Sequence, residues 1–294
     1  MKKALFVVNP AAGQKKIKAS LADILSLFNG EQYETAVYMT RKETSVEDYV
    51  AERCKNFDLL VCCGGDGTLN RTVNGLLKSD LSVPIGYIPA GSTNDFAAGL
   101  KLPSNPLETA KRIISGKQHL HDAGFMDGRR NFVYVASFGA FSETSYMTSQ
   151  SFKNALGHLA YILDGPKALM KIKPIALTCT YDGGNVSGDY IFGAVANSTS
   201  MGGVIKLRHP DISFSDGLFE MLLIKAPKNI FELQGIINSL LTYKYDTANV
   251  SLIHTSRAEF SFEKPTEWSL DGERYVGNKR AKIEILGQKI PFVY

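Results

Sequence analysis

The sequence predicts an α/β protein in two parts: an N-terminal three-layer domain built on a parallel sheet, then a C-terminal β-sandwich. Three observations predict it. Up to about residue 120, short wholly apolar runs alternate with segments of helical periodicity, the pattern of strands buried on both faces. Several of those runs end in turns of small residues. Beyond residue 120 come short alternating strands separated by Gly and Asp turns, the pattern of a sandwich. The expected division is 1–121 and 122–286, with a tail at about 287–294 that returns to the first domain.

The first domain reads in order. Ala4 to Val8 is a buried strand, and Asn9-Pro10-Ala11-Ala12-Gly13 is a turn. Ile17, Leu21, Ile24, Leu25 and Phe28 recur at helical spacing. Thr35 to Met39 is a second strand. Thr44 or Ser45 caps a helix running towards Cys54, with Glu47 and Asp48 in its first turn. Asp58 to Cys63 is a third strand, followed by the glycine turn Gly64 to Thr68 and a helix through Leu77. Val83 to Ile88 is a fourth, followed by the loop Pro89 to Thr93 and a short helix.

The second domain offers strands at Phe132 to Ser137, Ile175 to Tyr181, Tyr190 to Ala196, Leu218 to Ile224, Ala258 to Phe262 and Lys282 to Leu286. Helical segments span roughly Ser151 to Met170 and Asn229 to Tyr243. Asp127-Gly128 and Asp182-Gly183-Gly184 read as turns.

Composition narrows the function. The 294 residues suit two domains, and 44% hydrophobic with 21% charged residues is a globular balance. A net charge of +4 is far from a nucleic-acid-binding signature. No apolar stretch reaches the ~18 residues of a membrane span. Cys54, Cys62, Cys63 and Cys179 lack metal-ligand spacing and read as small buried residues of a reduced protein. The basic clusters Lys15-Lys16-x-Lys18, Arg129-Arg130 and Lys167, Lys171, Lys173 read as solvated faces or as surfaces attractive to phosphate or anionic lipid.

Chemistry concentrates in Gly64-Gly65-Asp66-Gly67-Thr68-Leu69-Asn70. Three glycines between a buried strand and a helix bring backbone N–H groups and a helix dipole to one spot, which suits phosphate. Asp66 beside that phosphate calls for a cation, as in a Mg²⁺-nucleotide. Gly91-Ser92-Thr93-Asn94-Asp95 repeats the architecture, and Asn9 to Gly13 opens at the same sheet edge. Open α/β sheets bind ligands at that edge. Asp271-Gly272-Glu273 places two carboxylates around a turn glycine.

Together, Asn9-Pro10-x-x-Gly13, Gly64 to Asn70 with Val73-Asn74-Gly75, and Gly91-x-Thr93-Asn94-Asp95-Phe96 resemble the signature set of the soluble bacterial diacylglycerol kinases and related lipid kinases. Sphingosine and ceramide kinases are more distant relatives. The resemblance continues through Asp122, Asn197, Pro210, Asp216-Gly217-Leu218-Phe219 and Leu270-Asp271-Gly272-Glu273. It implies a first domain like those of NAD kinases and diacylglycerol kinases, with the active site in a cleft between the domains. It implies ATP at Asn9, Pro10, Gly13, Thr40, Gly64, Gly65, Asp66, Gly67, Thr68, Asn70, Gly91, Thr93 and Asn94. It places Asp66 and Asp122 in the charged network around Mg²⁺. A structural Mg²⁺ falls to the Asp216 carboxylate and the Ser213 and Leu218 carbonyls, and the proton acceptor to Glu273, with Asp271 close behind. The implied reaction is transfer of the γ-phosphate of ATP to a lipid hydroxyl, diacylglycerol to phosphatidic acid. The implied setting is the cytoplasm, docked at the inner membrane face during turnover, and homodimers are common among such kinases. One departure is Arg71, where the family usually has Glu. It keeps open a nucleotide-binding regulator without transferase activity; a kinase of a soluble substrate such as NAD is the third reading.

Overall fold

The computed structural model describes residues 1–12, 16–91, 94–139, 173–198, 200–201, 205–206, 213–245 and 247–294. The expected helix Ser151 to Met170, Lys167, Lys171 and Pro210 lie outside them. The described chain divides into two compact units, 1–123 with 287–294, and 124–286.

Unit 1 runs β1 (Lys2–Val8), α1 (Lys16–Gly30), β2 (Tyr33–Met39), α2 (Val46–Arg53), β3 (Leu59–Gly64), α3 (Asp66–Ser79), β4 (Ile85–Pro89), α4 (Asp95–Gly99) and α5 (Pro106–Ser115). The start of β5 (Gln118–Met126) also belongs to it. The sheet order is β2-β1-β3-β4, all parallel. Every residue of β3 and β4 is buried, as expected of strands covered on both faces. Phe6, Ile24, Phe28 and Val61 share one core, with the Phe6 and Phe28 rings edge to face at 5.0 Å. Ser45 caps α2 by accepting the Asp48 N–H, and Glu47 and Asp48 sit in its first turn. The C-terminus closes the sheet, with Phe292 lying parallel to Ile85 of β4. All four cysteines are buried thiols, and burial pushes Cys62 up to about 12, so they serve packing.

Unit 2 opens with a hairpin from the end of β5 into β6 (Arg130–Phe132), turning at Asp127-Gly128. It continues with β7 (Val135–Gly139), β8 (Ile175–Tyr181), β9 (Gly184–Ala196), β10 (Ser200–Met201), β11 (Ile205–Lys206), β12 (Phe219–Lys225) and α6 (Ile230–Thr242). Then follow β13 (Val250–Thr255), β14 (Arg257–Phe262), β15 (Trp268–Leu270), β16 (Glu273–Tyr275) and β17 (Arg280–Val293), whose last residues belong to unit 1. The long β9 organises the sandwich. Its first half pairs with β8, while its second half lies between β7 and β12. Its exposure follows: the outer half is mostly open, and Tyr190 to Ala196 are all buried. Side chains of both layers meet in one core, where Trp268 touches Phe138 at 4.7 Å and Phe260 at 5.3 Å between ring centres.

Two expectations change. The strand read as Phe132 to Ser137 breaks at Val133-Tyr134, because a side-chain carboxylate from β15–β16 takes the backbone N–H groups there. The last strand, expected to end at Leu286, continues as β17 to Val293.

Candidate active site

Three strand ends of unit 1 supply its chemistry, and the chain knits them together. After β1, the Asn9 N–H donates to Cys63 O at 2.9 Å, and its Nδ2 donates to Thr68 Oγ1 at 3.2 Å. Its Oδ1 accepts the Ala11 N–H, so one side chain shapes its own turn and ties it to α3. Pro10 sits within this turn, and the Thr40 N–H donates to Val8 O beside it. Gly13 lies outside the described residues.

After β3, Gly65 caps α3. Thr68 sits buried at the third helical position and takes the Asn9 amide. The turns after β3 and β4 touch backbone to backbone: a Cβ on Gly91 would lie 2.5 Å from Gly65 Cα, and one on Gly65 3.1 Å from Gly91 Cα. Only glycine fits so close an approach. Asn94 sits at a positive φ of 53° and completes the second turn. Its Oδ1 accepts the Gly91 N–H at 2.7 Å while its Nδ2 donates to Gly91 O at 3.0 Å. Thr93 lies outside the described residues.

Asp66 links the tips of two helices. It opens α3, where the dipole favours a carboxylate, and its Oδ2 accepts the Asp95 N–H at the start of α4, at 3.0 Å. The Tyr87 hydroxyl stands 3.4 Å from both Asp66 Oδ1 and Asn94 Oδ1. Tyr87 was missed by sequence reasoning, since a tyrosine in a buried strand gives no outward sign of what its hydroxyl meets. Asn70 turns along its helix, taking the Asn74 amide on its Oδ1 at 3.1 Å. Arg71 is exposed on α3. Asp122 is buried and accepts the Gln288 N–H at 2.6 Å, bracing the returning tail of the chain.

Unit 2 carries the other carboxylates. Asp271-Gly272 forms the two-residue hairpin turn between β15 and β16, with φ of 50° and 85°. The Asp271 side chain points inward and accepts three backbone N–H groups, from Val133 at 2.6 Å and from Tyr134 and Val135 at 3.0 Å each. Glu273 is held by Arg130 at 2.7 Å, both side chains being partly exposed. The sequence shows Arg130 only as one of a basic pair, because its partner is 143 residues away. In the 213–218 loop, Asp216 Oδ1 accepts the Leu218 N–H at 3.1 Å and Gly217 takes a φ of +77°. Next to it, Glu220 is fully buried, and neither carboxylate oxygen has a hydrogen-bond partner. Burial, and then the Asp216 charge, push its pKa up to about 8. Carboxylate oxygens such as those of Asp216 and Glu220 are donors that a hard divalent cation takes. Among the described residues no group of three His, Cys, Asp or Glu side chains is arranged for a metal, and Mg²⁺ does not need one, since it binds through a few carboxylates, carbonyls and water.

Comparison with known proteins accounts for this combination of sheet, turns and sandwich. A model of the diacylglycerol kinase catalytic domain matches residues 3–126. The diacylglycerol kinase of Bacillus subtilis is 32% identical over 276 residues, covering 93% of this chain and 90% of its own. That of Staphylococcus aureus strain bovine RF122 / ET3-1 is 31% identical over 282 residues, covering 95% and 87%. The crystal structure of a diacylglycerol kinase from Bacillus anthracis superposes with a TM-score of 0.76 at 22% identity, covering 100% of this chain and 97% of that one. The protein is thus a phosphotransferase with an alcohol acceptor, of the lipid kinase class. The chain belongs to the diacylglycerol kinase family.

Proposed function

We propose that this kinase transfers the γ-phosphoryl group of ATP to the free hydroxyl of a membrane lipid, diacylglycerol first, giving phosphatidic acid. The observation that carries the reading is the meeting of three small-residue turns at one edge of the parallel sheet, joined through Asn9–Thr68, Gly65–Gly91 and Asp66–Asp95. Backbone N–H groups and the α3 tip there suit a polyphosphate. Mg²⁺, when bound with the nucleotide, offsets the phosphate charge, and Asp66 is the residue placed to hold it. In this reading Asn9, Gly64, Gly65, Gly67, Thr68, Gly91 and Asn94 form the phosphate cradle.

Glu273 is the proton acceptor. A lipid hydroxyl attacks phosphorus poorly at neutral pH, and a positioned carboxylate that takes its proton as the bond forms lowers the barrier. Arg130 fixes the Glu273 carboxylate, and Asp271, occupied by three backbone donors, positions the hairpin that carries it. A loop cation at Asp216, with the Ser213 and Leu218 carbonyls, steadies the sandwich. Among the described residues no helix is long and apolar enough to cross a membrane. The enzyme therefore meets its lipid by docking at the inner membrane face, which an exposed apolar and basic surface would serve.

The test is turnover of γ-labelled ATP in separate reactions with detergent-dispersed diacylglycerol, ceramide or sphingosine, and with NAD in buffer. Label in phosphatidic acid alone supports the assignment. Label in another lipid moves the substrate, and label in NAD or in no acceptor defeats the proposal.

A further inference from the structure

Glu220 is the residue of unit 2 whose position most demands an explanation. It sits on β12 opposite Ala196 of β9 and His254 of β13, in the middle of three paired strands. Its side chain is 0% exposed and neither oxygen accepts a hydrogen bond. His254 Nδ1 stands 3.8 Å from Glu220 Oε1, within ion-pair range but beyond hydrogen-bond reach. Backbone N–H groups of Glu220 and Ser198 favour the ionised form without completing hydrogen bonds of normal geometry. A buried carboxyl whose two oxygens accept no hydrogen bond is a costly arrangement for a fold to hold.

The loop beside it explains what is absent. Residues 213–218 lead directly into β12, and the Phe214 carbonyl accepts the Asn197 amide at 3.4 Å, one residue beyond the strand partner of Glu220. The loop that presents Asp216 is thereby pinned beside the strand pair that carries Glu220. Two like charges brought together out of water are tolerable when one cation lies between them.

We propose that Glu220 is a second anionic residue of the Asp216 cation site, so that one divalent cation is shared by Asp216 and Glu220. The proposal rests on the reading of the 213–218 loop as a cation loop and adds the residue that sets its charge. With two carboxylates the site favours a divalent over a monovalent ion, and it couples the ion to the strand pairing of β9, β12 and β13. Glu220 is a positioning residue: it holds the ion and, through it, the loop, without touching the reacting atoms.

The experiment uses the full chain without nucleotide and reads Mn²⁺ binding by electron paramagnetic resonance, alongside the shift in melting temperature on adding Mg²⁺. Wild type should bind Mn²⁺ and melt higher with Mg²⁺. Glu220→Gln keeps shape and removes charge. It should weaken Mn²⁺ binding about 10- to 100-fold, the usual effect of losing a residue that supports a metal site, and abolish the Mg²⁺ shift. Glu220→Asp, which keeps the charge, should retain part of the affinity and serves if the Gln variant fails to fold. Asp216→Ala should lose binding as well. Undiminished Mn²⁺ affinity in Glu220→Gln or Glu220→Asp, with binding lost in Asp216→Ala, overturns the role of Glu220 and leaves the loop cation standing. No Mn²⁺ binding at this loop in wild type, shown by equal binding in Asp216→Ala, overturns both.

Discussion

At the scale of single residues, the turns leave little room, and some carboxylates are already occupied by backbone donors. Gly91 abuts Gly65 so closely that a methyl group must move backbone on both sides. Gly91→Ala should therefore destabilise by about 1–3 kcal/mol, as overpacking does, and weaken ATP binding more than Gly65→Ala, whose contact is looser. Calorimetric ATP titration and melting of both variants check the order. Glu273 and Asp271 should separate cleanly. Glu273→Gln should lower kcat about 10²- to 10⁴-fold with ATP binding and melting temperature preserved, as for loss of a general base. Asp271→Ala orphans three backbone donors and should cost about 3 kcal/mol or more of stability. Equal melting temperatures for the two variants would contradict this division. The sequence displayed both acids on either side of Gly272, but which one faces inward depends on Val133 to Val135, more than 130 residues earlier.

At the scale of elements, local chemistry was legible and long-range clasps were not. Ser45 and Asn229 announce their helices because a cap bonds within three residues. The runs before Asn9, Gly64 and Pro89 read as buried strands because nothing polar interrupts them. By contrast, Asp127 and Asp182 were legible only as turn residues. The structure adds that Asp127 accepts from Lys282 N–H and Tyr275 hydroxyl, and Asp182 from Ser256, Thr255 and Arg257. Those partners lie 73 or more residues away, and turn chemistry carries no trace of them. The sequence predicts a tail at about 287–294 that returns to the first domain, but not that β17 runs through it to Val293, since its pairing with β4 joins the two ends of unit 1. That closure carries a pH signature. His121 lies under Phe292 and Tyr294, its Nε2 3.0 Å from the Tyr294 hydroxyl. Burial, then the neighbouring His119, lower its pKa to about 4 from an ordinary 6.5. Between those values the unfolded chain binds a proton that the folded chain does not. Stability from this residue is therefore complete above pH 6.5 and is lost as pH falls towards 4, by about 3 kcal/mol in all. Urea unfolding of wild type and His121→Leu at pH 7 and pH 4.5 should show a larger acid loss in wild type; equal losses would contradict it.

At the scale of the whole molecule, the parts of the proposed phosphotransferase divide between the compact units: the small-residue turns lie in unit 1, the Glu273 hairpin and the Asp216 loop in unit 2. The order of these parts along the chain was readable from motifs, because each depends on a short run with its own backbone demand. Their energetic supports were not, because Tyr87 and Arg130 act through partners that only folding brings near. The most direct test of the account is the position of bound nucleotide. In crystals soaked with Mg·ADP, the phosphates should lie against residues 9–12, Gly64 to Asn70 and Gly91, with the metal beside Asp66. Nucleotide bound elsewhere, or that sheet edge bare at saturating concentration, would contradict it.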